Sequence, residues 1–574
     1  MPRPARPAEQ RRPARPSPPR SLQKEPFADV RFPRPTRLAL AASVAGALLL
    51  AGCAPAAPGG GEASEGGTLV YASGDAEPTC LDPHVGGNFP QALAATQFLE
   101  SLVSRDASGQ IIPWLAEEWQ VSLDGLTWDF TLKDDVEFTD GTPFDAAAVK
   151  ANVEHVQDPE TGSSTGWLAL AKIAEVEVVA PDHARFHLSA PDSALLESLS
   201  QPWTAIESPA GIERGTDENC LAPIGTGPFI VKDWVKQDRI SFVRNDDYNS
   251  PPADAEHDGP TALDGIEWRF IADPATRYAA LQSGDVDVID NAQPDAIAAA
   301  SEERGITHLD APRPGASNRI EFNSAQAPFD DVRVREAFVR AVDVDAGIEG
   351  LFFDTAPRSF SPLSSVEPTS FSDPSLFTVD PDEANRLLDE AGWTERDSDG
   401  TRMKDGARLT ARFPVSTNQS VAAEQSLFEQ LAKGAADVGF DVQITLLDLS
   451  SWYGALAAHE YELVSAPYTK VGPDVLRIVY HSASTVPAPS GYFANLAQVK
   501  DPEIDAALDA ASASQDEAER ADLYKQVQQR LLEQFHLLPI YDQQNHFLIS
   551  TKVEGVRAMP TVSTPTFLAA HFVG

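Results

Sequence analysis

The sequence predicts an α/β protein of two lobes, each built on its own sheet. Three observations carry this expectation. Strand-like and helix-like patterns alternate from Thr68 to Ile289, then restart as a second series from Arg319 to Tyr541. The roughly 520 residues beyond Gly52 exceed what a single hydrophobic core supports, so several packed units are expected. After Leu38–Gly52 no apolar stretch approaches membrane length, which leaves this body outside the bilayer.

The chain opens with a Pro- and Arg-rich stretch, residues 1–29, whose composition cannot bury a core. Translation is expected to begin later, at Val30. Arg31, Arg34 and Arg37 precede the apolar run Leu38–Gly52, which at 15 residues is short of the ~20 that a spanning helix needs. Positive residues, an apolar core and the small Ala51 and Gly52 form a signal-peptide layout, so residues 1–52 are read as a signal region. Leu50-Ala51-Gly52-Cys53 resembles the lipobox of bacterial lipoproteins, which implies a diacylated Cys53 as the new N-terminus. Two acyl chains hold a protein at a membrane where one does so only marginally. Residues 53–67, composed after Cys53 of Ala, Pro, Gly, Ser and Glu alone, read as a flexible tether.

Thr68–Tyr71 then reads as a strand and Ala92–Leu102 as a helix, because its apolar residues recur at helical spacing. Strands are expected at Thr127–Leu132, Glu175–Val179 and Ala184–Leu188, with a helix at Val149–Val156. Phe229–Trp234 and Arg239–Arg244 alternate as a hairpin does. Strand Ile266–Ile271, helix Pro274–Ser283 stopped by Gly284, and strand Val286–Ile289 complete the first series. The second runs strand Arg319–Asn323, helix Val332–Val342, helix Asp382–Ala391, strand Arg408–Pro414, helix Ala422–Val438 and strand Asp441–Leu447. Helices Asp501–Ala511 and Glu517–Phe535 and strand Leu538–Tyr541 close it.

Charge and motifs exclude several functions. The full chain carries a net charge of −42, and the part beyond residue 52 holds 34 basic against 83 acidic residues. Nucleic acid is therefore not an expected partner, because phosphate binding needs clustered Lys and Arg. Besides Cys53 only Cys80 and Cys220 occur, which suggests one disulfide, with two buried free thiols as the alternative. His459-Glu460-Tyr461-Glu462-Leu463 begins like a zinc-protease helix but has Leu463 where the second His must stand. No phosphate-binding Gly-rich loop with Lys-Ser/Thr is present. Asp397-Ser398-Asp399-Gly400 lacks the later Glu of a calcium loop. The eleven His are scattered without a close cluster, so no metal site, no cofactor and no enzyme activity are expected.

Several ordered segments resemble the family 5 extracellular solute-binding proteins, the peptide-, nickel- and opine-type receptors of ATP-binding-cassette importers. They are Leu81-Asp82-Pro83-His84, the block from Pro113 to Phe144 with its Trp114, Trp119 and Trp128, and Ile224-Gly225-Thr226-Gly227-Pro228-Phe229. Further matches are Pro328-Phe329-Asp330-Asp331-Val332-Arg333-Val334-Arg335, Ala384–Trp393 and Leu538–Tyr541. The resemblance implies a periplasmic-binding-protein-like fold with hinge strands and an extra subdomain in the first lobe. Lobe I is then 68–312 with 542–574, including the subdomain 112–204, and lobe II is 313–541 with hinge strands at its ends. It also implies a monomer at the outer face of the cytoplasmic membrane, or in the periplasm of a diderm cell, that delivers a solute to a membrane permease. Peptides lead as cargo, with a nickel chelate, opine or other small anionic solute as the alternative.

Peptide-binding relatives hold the ligand ammonium with an aspartate in the loop matching Tyr461–Asp474; Val471 stands at about that position, beside Lys470. A buried ammonium without a carboxylate is costly, so Lys470 instead suggests an acidic ligand group or a solvated side chain. Asn88 and Phe89 are expected to meet the ligand from lobe I. Tyr468, Ser465, Asn323 and Trp452 are the other candidates. Gly225 and Gly227 are read as turn residues whose φ is closed to other side chains. The three Trp of the 113–144 block are read as core, and Arg333 and Arg335 as braces of a helix start.

Overall fold

The computed structural model describes residues 63–465 and 468–574. The signal region, Cys53 and the tether up to Glu62 lie outside the described residues, as do Ala466 and Pro467. Among the described residues no helix is long and apolar enough to cross a membrane.

Strand Thr68–Ser73 buries Leu69, Tyr71 and Ala72 and sits in the middle of a seven-stranded sheet. The strand order is Ile306–Pro312, Gln544–Ser550, Val288–Ile289, Thr68–Ser73, Gly265–Phe270, Arg239–Arg244 and Phe229–Val235. Thr68–Ser73 runs parallel to both neighbours and the remaining pairs are antiparallel. Helix Pro274–Ser283 begins where the Asp273 carboxylate accepts the Thr276 N–H at 2.7 Å. It ends at Gly284, at φ 79° in the left-handed region that Gly enters without a Cβ penalty.

Inserted into this series is a four-stranded antiparallel sheet, Ala116–Val121, Thr127–Leu132, His183–Leu188 and Ile173–Ala180, covered by helix Ala146–Gln157. It has its own core around Phe130, Phe186, Val149 and Val153. Trp128 belongs to that core and Trp119 packs against it. Trp114 donates its indole N–H to the buried Glu100 carboxylate at 3.0 Å. Cys80 and Cys220 form a disulfide with a Cα–Cα distance of 4.4 Å.

The second body pairs Thr410–Ser416 in parallel with Asp441–Leu447, joined by helix Ala422–Val438. Beside them Asn318–Phe322 lies between Leu463–Ser465 and Leu537–Tyr541. Phe322, Phe329, Phe338 and Phe440 cluster in its core. Asp331 caps helix Val332–Ala341, and Arg333 pairs with that cap while Arg335 donates to the Phe329 carbonyl.

Two strand connections join the bodies. The chain leaves the seven-stranded sheet through Ile306–Pro312 and continues as Asn318–Phe322; it returns through Leu537–Tyr541 into Gln544–Ser550. Gly315 sits at the crossing with φ 92°, and a Cβ there would lie 2.6 Å from the Lys470 backbone nitrogen. Only Gly fits such an approach.

Two local expectations are corrected. The helix expected at Ala92–Leu102 is Phe89–Ala95, and Phe98 to Leu102 are buried outside any helix, so their apolar spacing reflects burial. Gly225 and Gly227 are not held by φ: a Cβ on either would lie 1.9 Å from the Phe98 carbonyl oxygen or 2.6 Å from its carbon, respectively. Their requirement is close backbone approach.

Candidate functional site

A cavity of 410 Å³ lies between the two bodies, close to the crossing strands. One wall is Gly86, Gly87, Asn88 and Phe89 with Thr165 and Trp203 of the inserted unit. The opposite wall is Tyr453 and Gly454 on helix Leu449–Ala457, then Tyr468, Thr469, Tyr492 and Phe493. A cavity of 260 Å³ adjoins it, sharing Phe89, Arg313 and Gln419 and holding Asp75 and Arg277. These sizes and the aromatic lining suit a small organic ligand.

Asn88 enters the wall as the N-cap of helix Phe89–Ala95. Its side-chain oxygen accepts from the Gln91 N–H at 3.2 Å, and Gln91 Oε1 accepts from the Asn88 N–H at 2.9 Å. The Trp203 indole donates to the Asn88 carbonyl at 3.1 Å, so this part of the wall is held from three sides. Gly87 stands at φ 98°, and a Cβ there would lie 3.2 Å from Thr165.

Arg313 is the charged side chain in the wall of the larger cavity. Its guanidinium lies 4.1 Å from the Phe89 ring centroid and donates through Nε to Thr469 Oγ1 at 2.7 Å. Burial lowers its pKa to about 10 against the pull of Asp75. Among the described residues no Asp or Glu lines the larger cavity. In the smaller one Asp75 is pushed up to about 7, by burial first and the Asp290 charge second, with Arg313 opposing.

Tyr468 lines the larger cavity as well, and its buried hydroxyl makes no well-formed hydrogen bond among the described residues, with Thr165 the polar group that faces it. The other sequence-predicted residues lie elsewhere. Lys470 is 1% exposed and paired with Asp474 at 3.3 Å, which Arg477 also contacts at 2.9 Å. The burial is at odds with a solvated side chain, and Lys470 is not among the residues lining the larger cavity. Asn323 is buried, donating to the Tyr461 carbonyl at 3.2 Å. Trp452 faces the interior and donates to the Pro414 carbonyl at 3.3 Å, while its neighbour Tyr453 faces the cavity. Ser465 points to Asn318 and Glu424, each at 3.4 Å.

Arg313, Thr165, Tyr453 and Tyr492 were not expected. Arg313 had one signal, a lone cation in Pro312-Arg313-Pro314-Gly315 at the start of the expected hinge. The His residues also differ from expectation: the fold gathers Asp82, His84 and His155 in one cluster and His308, Asp310 and His546 in another.

Comparison with known proteins agrees with this architecture. Residues 110–489 match the family model of bacterial extracellular solute-binding proteins, family 5 middle region. The chain is 30% identical to the nickel-binding periplasmic protein of Escherichia coli (strain K12) over 475 residues, 80% of this chain and 86% of that one. It is 29% identical to the glutathione-binding protein GsiB of Shigella dysenteriae over 499 residues, 84% of this chain and 90% of that one. The structure of AgaA from A. tumefaciens R10 in complex with agropinic acid superposes with a TM-score of 0.74 at 25% identity, covering 87% of this chain and 98% of that one. The two bodies, the crossing strands and the cavity between them are those of a receptor, and the chain belongs to the family 5 extracellular solute-binding proteins of ATP-binding-cassette importers, which are not enzymes.

Proposed function

We propose that this receptor captures a small solute bearing a carboxylate, with short peptides first and opine-like acids or acidic metal chelates second. The carrying observation is Arg313, a cation facing a 410 Å³ aromatic cavity whose lining, among the described residues, holds no carboxylate. Two guanidinium nitrogens already bond Thr469 Oγ1, which fixes the group and leaves Nη1 without a hydrogen bond among the described residues. A fixed guanidinium edge recognises a carboxylate with little further ordering cost. Glutathione and agropinic acid, named for two of the relatives, both carry carboxylates. A peptide ammonium would find its partner at Asp75 in the adjoining cavity.

In this reading 68–312 with 542–574 closes against 313–541 about the two strand connections, and a ligand touching both walls favours the closed form. The permease then meets that form, with Cys53 carrying the lipid that holds the receptor at the membrane. A thermal-shift panel tests the ligand class. It compares di- to tetrapeptides, their C-terminally amidated forms, glutathione, an opine and a nickel–histidine chelate. Stabilisation by free acids and its loss on amidation is the expected result; equal stabilisation by amidated peptides overturns the reading. Fatty-acid labelling of the expressed protein, absent in Cys53→Ser, tests the anchor.

A further inference from the structure

The loop from Cys80 to Asn88 ends in the cavity wall, but its first half faces away from the cavity into the packing between the seven-stranded sheet and the inserted unit. There Asp82, fully buried, accepts the His84 N–H at 2.8 Å through Oδ1 and the Asn219 amide at 3.1 Å through Oδ2. Two imidazoles face the same carboxylate. His84 Nδ1 lies 3.8 Å from Oδ1, and His155 Nε2 lies 3.0 Å from Oδ2.

The hydrogen bonds at the far side of each ring decide what the near side offers. His84 Nε2 is 2.8 Å from the Ala205 carbonyl, which can only accept, so Nε2 carries the proton and Nδ1 presents a lone pair. Thr161 Oγ1 spends its single proton on the His155 carbonyl at 2.6 Å. It therefore accepts from His155 Nδ1–H at 3.2 Å, and Nε2 presents a lone pair. Two imidazole lone pairs and a carboxylate thus converge with no donor between them, all within 4.8 Å of one another. His84 Nδ1 is fully buried and has no hydrogen-bond partner, an arrangement that costs free energy unless a cation fills it.

A proton on His155 would pair it with Asp82 but would leave His84 Nδ1 unserved. An ion at the centre serves all three. Imidazoles whose second nitrogen is tied to an oxygen acceptor are the usual form of metal-bound His. Metal–ligand bonds of about 2.0–2.2 Å put tetrahedral donors roughly 3.4 Å apart, between the two separations found here. Glu207, buried beside Asp82, accepts from the same Asn219 amide nitrogen at 2.6 Å and is the neighbour from which a fourth donor can come. None of these residues lines the cavity.

We propose that Asp82, His84 and His155 hold a structural divalent ion of the zinc class, separate from any cargo. It would tie the Cys80–Asn88 loop to helix Ala146–Gln157, as the Cys80–Cys220 disulfide ties the start of the same loop to the segment carrying Asn219. The ion would then hold one side of the ligand-binding wall in place without touching the ligand.

The test uses the purified chain, natively produced and also refolded with Zn²⁺, dialysed and assayed for metal by mass spectrometry. One zinc per chain is expected, retained on dialysis and lost on unfolding in chelator. Cobalt substitution should give the visible bands of a four-coordinate N/O site. His155→Gln, at the least buried ligand, should remove the zinc while near-ultraviolet dichroism stays native, and Arg313→Ala should keep it. Absence of zinc from both native and refolded protein overturns the proposal. So does zinc that survives both His155→Gln and His84→Gln, or zinc lost from Arg313→Ala, which would place the ion in the cavity.

Discussion

Arg313 and Lys470 are neighbours across the crossing of the two lobes, and they illustrate opposite fates of a basic residue. The backbone segments carrying them touch, since Gly315 meets Lys470 and pairs with Thr469. Lys470 is buried against Asp474, itself shared with Arg477, so its charge is engaged by the protein's own carboxylates. Arg313 is anchored by a neutral hydroxyl and an aromatic ring, so its charge remains available to the cavity. The partner, more than the position in the sequence, decides which cation can read a ligand.

The sharpest way to break this contrast is Asp474→Asn. Two buried cations would lose their shared carboxylate, and removing one partner of a buried pair costs about 3–5 kcal/mol. A large fall in Tm is expected, with ligand affinity unchanged in the folded fraction. Burial raises the Asp474 pKa, but the Arg477 and Lys470 charges outweigh it and hold the carboxyl at about 2. Because the folded value is depressed, its stabilisation is present above the ordinary carboxylate range. It is lost as pH falls through about 2, and the variant should lack that acid-side transition.

Arg313→Ala comes next. Losing a buried charge partner of a bound carboxylate costs about 2–5 kcal/mol, or at least about thirtyfold in Kd. Calorimetry with whichever free acid stabilises the wild type should show that loss with little change in Tm. Near-equal affinity would remove Arg313 from recognition.

Much of the fold is legible in the sequence because its signals are local. Asp273 and Gly284 mark both ends of Pro274–Ser283, and Ala422–Val438 stops at Gly439 in the left-handed region. Signals that depend on distant partners are not legible. Phe98 to Leu102 imitate a helix because they are buried, and Gly225 and Gly227 answer to a carbonyl more than a hundred residues away. The site is harder still, since it is assembled from separate segments. Trp452 and Tyr453 differ by one position, yet one step on a helix turns about 100° and exchanges core for cavity.

Glu197 sharpens the contrast from lobe I. Its side chain packs against Gly472 of lobe II, facing Lys470, Asp474 and Arg520. Burial pushes its carboxyl up to about 7, with Lys470 opposing and Asp474 adding. The sign follows from a raised folded-state value: its contribution is present below the ordinary carboxylate value and is lost as pH rises through about 7. Glu197→Gln should therefore flatten the Tm profile between pH 4.5 and pH 7. An unchanged slope would show that the lobe contact does not feel this group.

The smallest effect is expected at Tyr468, and its sign is informative. The hydroxyl is buried without a well-formed hydrogen bond, so Tyr468→Phe should leave the ligand-free protein as stable as wild type or slightly more so. If that hydroxyl is held in reserve for the ligand, the variant should lose about 0.5–1.5 kcal/mol of binding, a few-fold in Kd. The two measurements must be made together, because only a residue kept unsatisfied for a ligand loses affinity while losing no stability. A drop in Tm without a change in Kd would place Tyr468 with Trp452, as a packing residue at the edge of the cavity.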